Sequence, residues 1–248
     1  MNMKIVVFDS GLGSLSIIKA IQKKTKADII YLADKKNFPY GNKTKSQLYK
    51  IIKDTIKKIS EKFEPDIIVL ASNTPSLLFR KKLPKNVITV LPPLDKIHQD
   101  SNVAILATRL VAESQELDDY IKQFDNLKDV LKINCSDLIE LVESGKFLIN
   151  EKNCMKTILK VLKDEFRHNN IKIATLSSTH LPFLLPFLKK SFRGIEFLDP
   201  ADDVAVKISK LNGSQAKRNS LSIYTTQSPK ALQRNLKNLG ISNKVTIF

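Results

Sequence analysis

Asp66-Ile67-Ile68-Val69-Leu70-Ala71-Ser72-Asn73-Thr74 and Ile171-Lys172-Ile173-Ala174-Thr175-Leu176-Ser177-Ser178-Thr179-His180 share one pattern about a hundred residues apart. Each is a short run rich in apolar, strand-forming residues that closes on small polar side chains. Runs of this length that are apolar on both faces fit parallel strands covered by helices on each side. The carboxyl end of such a strand is where an open α/β sheet carries its chemistry, so Ser72-Asn73-Thr74 and Ser178-Thr179-His180 become the first candidate site residues.

Similar runs recur along the chain: Lys4 to Phe8, Asp28 to Leu32, Val87 to Leu91, Val103 to Ala107, Val130 to Ile133, Ile195 to Leu198, Ser222 to Thr225 and Val245 to Phe248. Between them lie helical periodicities. Leu48, Ile51, Ile52, Ile56, Ile59 and Phe63 fall on one stripe, as do Ile158, Val161, Leu162 and Phe166. Strands alternating with helices of this length give an α/β fold built of βαβ units.

Laid side by side, the two halves form a weak internal repeat. The strand before Asp9-Ser10-Gly11 matches the one before Thr108-Arg109, and the strand before Ser72 matches the one before Ser178. The expectation is two pseudo-symmetric α/β domains with mainly parallel sheets and a ligand cleft between them. Pro92-Pro93 marks the boundary, and a return near Ser209 to Gln215 gives a first domain of residues 1–93 plus 208–248 and a second of 94–207.

The 248 residues are 42% hydrophobic and 27% charged, which is ordinary for a globular chain. No apolar run approaches the roughly 20 residues of a membrane helix, and the amino terminus begins a strand where a signal peptide would differ, so a cytoplasmic protein without membrane contact is expected. Forty-one Lys and Arg against 25 Asp and Glu give a net charge of +16, which raises nucleic acid as a partner. Lysines such as Lys50, Lys53, Lys57, Lys58 and Lys62 instead fall on the polar side of an amphipathic helix, with no aromatic-basic interleaving, and read as a solvated face. Cys135 and Cys154 lack the close His or Cys partners of a zinc site and read as free buried thiols; no metal is expected. His98 and His168 lie in polar, surface-like contexts and receive no role.

Two further loops hold candidates. Asp9-Ser10-Gly11-Leu12-Gly13-Ser14-Leu15 sets a carboxylate, a hydroxyl and two glycines before a helix, a turn that lets backbone approach a ligand. It is not the dinucleotide fingerprint, whose third glycine and later acidic residue are not at the expected places. Asp34 is followed by Phe38-Pro39-Tyr40-Gly41-Asn42-Lys43, where proline and glycine bracket Tyr40 in a rigid loop.

Asp9-Ser10-Gly11, Pro39-Tyr40-Gly41, Asn73-Thr74 and Thr179-His180-Leu181-Pro182, in this order and spacing, resemble the glutamate racemases of the aspartate/glutamate racemase superfamily. The resemblance runs over almost the whole chain, through Asp199-Pro200-Ala201 and a terminal strand-helix-strand. It implies two pseudo-symmetric domains, glutamate or a similar acidic amino acid as ligand, a homodimer, and racemisation with no cofactor. In that chemistry one thiolate removes the α-proton from one face while a thiol on the other face returns a proton. The family's Cys-Asn-Thr and Cys-Thr-His patterns map those thiols onto Ser72 and Ser178. Catalytic roles would extend to Asp9, Glu143 and His180, and ligand binding to Asp9, Ser10, Pro39, Tyr40, Gly41, Asn73, Thr74 and Thr179.

Ser72 and Ser178 depart from the pattern at the reacting positions, and Ser14, Ser177, Val111 and Leu181 depart elsewhere. A thiol with a pKa of ~8.5 is readily tuned to a thiolate, whereas a hydroxyl needs a strong neighbouring base. His180 beside Ser178 and Asp9 beside Ser72 are the neighbours the sequence offers. Three readings stand: a racemase-like enzyme with weakened or altered chemistry, a catalytically silent homologue that binds an acidic amino acid or dicarboxylate as a sensor or partner, and a basic nucleic-acid-binding protein.

Overall fold

The fold was obtained as a computed structural model that describes residues 2–97, 102–127, 129–211 and 218–248. Chain order begins with β1 (Lys4–Asp9), α1 (Ser14–Lys24), β2 (Asp28–Ala33), α2 (Lys45–Phe63), β3 (Ile67–Leu70), α3 (Asn73–Phe79) and β4 (Val87–Thr89). It continues through β5 (Val103–Ala107), α4 (Arg109–Ala112), α5 (Gln115–Ile121), β6 (Val130–Asn134), α6 (Ser136–Glu143), α7 (Lys146–Ile149), α8 (Glu151–His168), β7 (Ile173–Leu176), α9 (Leu185–Ser191) and β8 (Glu196–Leu198). It closes with α10 (Ala201–Leu211), β9 (Ser220–Thr225), α11 (Pro229–Asn238) and β10 (Val245–Ile247). All ten expected strands form, displaced at most by a residue or two at their ends.

Two compact units emerge, Met1–Val90 with Ala201–Phe248, and Leu91–Pro200. The first crossing thus falls at the residue before Pro92-Pro93. The return falls at Ala201, earlier than position 208, because α10 packs its Val204, Ala205 and Ile208 face against α1 of the first unit. Ser209 to Leu211 lie inside that helix, and the rest of the expected return segment lies outside the described residues. The first unit holds a six-stranded sheet of order β10-β9-β2-β1-β3-β4, the second a four-stranded sheet of order β6-β5-β7-β8, and every pairing is parallel.

The internal repeat is explicit in these orders. β2-β1-β3-β4 and β6-β5-β7-β8 are the same arrangement, with β1 matching β5 and β3 matching β7. In both units the chain winds outward on one side of the starting strand and then crosses to its other side, so strand order reverses between β1 and β3 and between β5 and β7.

Apolar continuity makes the strands central. Ile5, Val6, Val7 and Phe8 of β1 and Ile68, Val69 and Leu70 of β3 have no exposed surface. The expected α2 stripe is buried at Leu48, Ile52, Ile56, Ile59 and Phe63 and half-buried at Ile51, while the lysines at 50, 53, 57, 58 and 62 are exposed. A capping box starts this helix: Gln47 N–H donates to Thr44 Oγ1 at 3.3 Å and Thr44 N–H donates to Gln47 Oε1 at 3.1 Å. On α8, Ile158, Leu162 and Phe166 are buried together with Cys154. Among the described residues no helix is long and apolar enough to cross a membrane.

These placements rank two substitutions. Ile59→Ala, at a site with no exposed surface, should cost about 2–5 kcal/mol through lost burial and a residual cavity. Thr44→Ala should cost about 1 kcal/mol through loss of the cap. Urea unfolding followed by circular dichroism checks the order, and equal midpoints for the two variants would contradict it.

Candidate active site

Register decides where the candidate residues sit. In the first unit Phe8 pairs with Leu70, so Asp9 lies level with Ala71 and Ser10 with Ser72, just past the end of the ladder. Ala71 N–H donates to Phe8 O at 2.8 Å and closes it. In the second unit Leu106 pairs with Leu176, which places Thr108 level with Ser178. Ser72 and Ser178 therefore occupy the same position, two residues beyond the last paired residue of matching strands, at the reversal of strand order where open α/β sheets bind ligands.

At the first of these ends, Asp9, Ser10, Ser72, Asn73 and Thr74 are all buried. Asp9 Oδ1 accepts the Ser10 N–H at 2.6 Å and the Ser10 hydroxyl at 3.4 Å. Ser72 takes extended backbone (φ −141°) at the start of α3 and makes no side-chain cap to that helix, so its hydroxyl is not consumed in ending the turn. Asn73 Nδ2 donates to Val90 O at 3.4 Å, while Asn73 Oδ1 and the hydroxyl of Ser14, the first residue of α1, are buried without a hydrogen-bond partner.

The Pro39-Tyr40-Gly41 loop follows β2 of the same sheet. Tyr40 is buried, Pro39 and Gly41 are half-buried, and residues Tyr40–Asn42 form one 3-10 turn. The Tyr40 hydroxyl donates to Asp34 Oδ2 at 2.9 Å. Burial first, then the negative charges of Asp34 and Asp9, push the Tyr40 phenol well above its ordinary range, so it remains a donor. Asp34 was legible as the start of this loop, but its place under Tyr40 was not. An aspartate just past β2, next to the level of Asp9 at the end of β1, is the signal that sequence carried.

In the second unit Ser178, Thr179 and His180 are buried directly after β7. His180 Nε2 lies 2.9 Å from Oε2 of Glu143, the last residue of α6, and both side chains are shielded from solvent. With Glu143 ionised, Nε2 carries the proton and donates it to Oε2. The sequence offered His180 as a neighbour of Ser178, and the structure adds that Glu143 holds its ring. Ser177 is occupied locally, its hydroxyl 2.8 Å from that of Thr175.

The two thiols are free and buried, as expected. Burial raises the Cys135 thiol far above the usual thiol range. Burial, helped by the charge of Glu151, pushes Cys154 up to about 11. His168 is exposed beside Arg167 at the end of α8, and His98 lies outside the described residues. Among the described residues no group of three or more His, Cys, Asp or Glu side chains is placed to hold a metal ion.

No protein-family model matches the chain. Individual proteins do. The glutamate racemase of Aliivibrio fischeri is 32% identical over 219 residues, covering 85% of this chain and 82% of the relative. The solved glutamate racemase of Aquifex pyrophilus superposes with a TM-score of 0.76 at 27% identity, covering 99% of this chain and 98% of its own. That of Francisella tularensis, solved in complex with D-glutamate, gives 0.83 at 23% identity over 100% of this chain and 97% of its own, a likeness of fold. Near-complete coverage, the duplicated β2-β1-β3-β4 order and the identity to the Aliivibrio protein agree: the chain belongs to the glutamate racemase family.

Proposed function

We propose that this protein binds glutamate or a closely related acidic amino acid, and that its racemisation is strongly attenuated. The observation that carries this reading is the equivalence of Ser72 and Ser178. Matching positions in the two units hold hydroxyls where the resemblance places thiols. Removing and returning an α-proton on opposite faces of a carbon needs two acid–base groups, and each unit supplies one serine at the required strand end. Each strand end carries polar groups suited to a ligand: Asp9 with Ser10, Thr74, and Asn73 with an acceptor oxygen left unpaired at the first, Thr179 and His180 held by Glu143 at the second. The D-glutamate held by the Francisella relative supports the ligand class.

Attenuation follows from proton affinity. A thiol near pKa ~8.5 is partly ionised at neutral pH and a hydroxyl is not, so serine needs a neighbour to take its proton in the same step. Cys135 and Cys154 cannot stand in, because burial keeps both protonated. Serine is nearly isosteric with cysteine, so binding survives where proton transfer does not. Chemistry of this kind calls for no cofactor.

Proton NMR in D₂O with L-glutamate, and separately with D-glutamate, tests the proposal. The expected result is ligand line-broadening with α-proton loss at or slightly above the buffer rate. Ser72→Cys combined with Ser178→Cys should raise that rate by about 10²-fold or more, the scale of a working acid–base pair. A parent protein that already exchanges as fast as the double-cysteine variant would overturn attenuation, and absence of broadening would overturn the ligand class.

A second measurement concerns the native thiols. A folded-state pKa of about 11 for Cys154, and a still higher one for Cys135, leave both as neutral thiols near pH 7, with thiolate appearing only in strong alkali. A thiol reagent should therefore leave both untouched in the folded protein near neutral pH and label both in denaturant. Rapid labelling of either in the folded state would contradict the assignment.

A further inference from the structure

We infer that Asp34 is a positioning residue for the ligand, with Thr226 as its anchor: together they fix the backbone of Tyr40 and Gly41 in the pose that meets an acidic amino acid. The inference rests on the binding reading above and adds residues that the family resemblance did not supply.

The Pro39-Tyr40-Gly41 loop has no place in the β ladder, so something else must set its conformation. Its buried anchor is the Tyr40 ring, and the ring's hydroxyl is spent on Asp34 Oδ2 at 2.9 Å. Tyr40 thus serves a ligand by where it holds its own backbone and that of Gly41, because its polar tip faces inward. The same carboxylate receives Asn37 Nδ2 at 2.8 and 3.0 Å and the Thr226 hydroxyl at 2.9 Å. Asp34 N–H donates to Asp9 O at 2.7 Å, which ties this cluster to the end of β1.

Thr226 lies just past β9, in the segment that returns from the second unit, and its hydroxyl works in both directions. It donates to Asp34 Oδ1 and accepts the Lys36 N–H at 3.0 Å, while its own N–H donates to Ala33 O at 3.1 Å. One hydroxyl therefore holds both the carboxylate under Tyr40 and the backbone at the start of the loop. A carboxylate suits this centre because Tyr40, Asn37 and Thr226 all present donors and it is acceptor-only. An amide would turn one of its acceptors into a donor facing a donor.

Thr226→Val keeps the shape of the side chain and removes both hydroxyl bonds, and Thr226→Ser keeps them. The expected results for Val are amide hydrogen exchange at Tyr40 and Gly41 about tenfold faster and L-glutamate affinity about tenfold weaker, with amides of β1 unchanged, the scale of losing a half-buried hydrogen bond to a carboxylate together with an exposed one. Ser should return both quantities to the parent values. A merely structural role would speed exchange in β1 as well, and that result overturns the inference. Loop exchange unchanged by Val overturns it, as does faster loop exchange with glutamate affinity intact. If the parent protein shows no glutamate binding at all, the ligand reading fails by itself and loop exchange still decides whether Thr226 holds the loop.

Discussion

Strand order is the constraint on which the chemistry depends. Where a parallel sheet winds outward from one strand and then crosses to its other side, the two central strands send their following segments to opposite faces, and a notch opens at their carboxyl ends. β1 and β3 make one such notch, β5 and β7 another. Because Phe8 pairs with Leu70 and Leu106 with Leu176, a shift of one residue in either ladder would turn Ser72 or Ser178 to the other face of its sheet. That shift is resisted by strands buried along their whole length, since Ile68, Val69 and Leu70 all lose their hydration together. The stability of the β1–β3 pair and the aim of the Ser72 hydroxyl are one property.

The notches are alike in backbone and unlike in side chains. Asp9 lies beside Ser10 at the first, and a His180–Glu143 pair follows Ser178 at the second. A thiol supplies its own base by ionising, so its neighbours only tune it. A hydroxyl borrows its basicity from a neighbour, so exchanging cysteine for serine moves the weight of the chemistry outward onto these residues. Serine differs from cysteine by a single atom, which preserves shape and therefore recognition better than it preserves proton transfer.

The fold was legible in the sequence because its signals are local. Short runs apolar on both faces, helical stripes on α2 and α8, and the Pro92-Pro93 break gave ten strands and the first crossing. The return comes earlier than the sequence suggests because Ala201 to Leu211 carries an ordinary amphipathic pattern, and only packing on α1 shows which unit owns it. Among the candidate residues, those immediately beyond strands are legible from order and spacing. What could not be read was pairing at a distance: Glu143 with His180, and Thr226 with Asp34, join residues 37 and 192 positions apart. Hydrogen bonds of that span leave no periodic trace in a single chain.

The inequality of the two strand ends also bears on what residual chemistry would look like. L- and D-glutamate have equal free energy, so no arrangement of side chains shifts their ratio at equilibrium; unequal groups change only the barriers on the two faces. Inversion needs one acid–base group on each face of the α-carbon, whereas a proton taken and returned on one face exchanges with solvent and leaves the configuration as it was. His180, held by Glu143, offers an acceptor nitrogen only when its imidazole is neutral, and Asp9 engages the Ser10 N–H through one of its oxygens. The two strand ends thus carry dissimilar acid–base groups. Exchange at one face can outlast racemisation, because losing either base stops inversion while one competent base still suffices to wash out the α-proton.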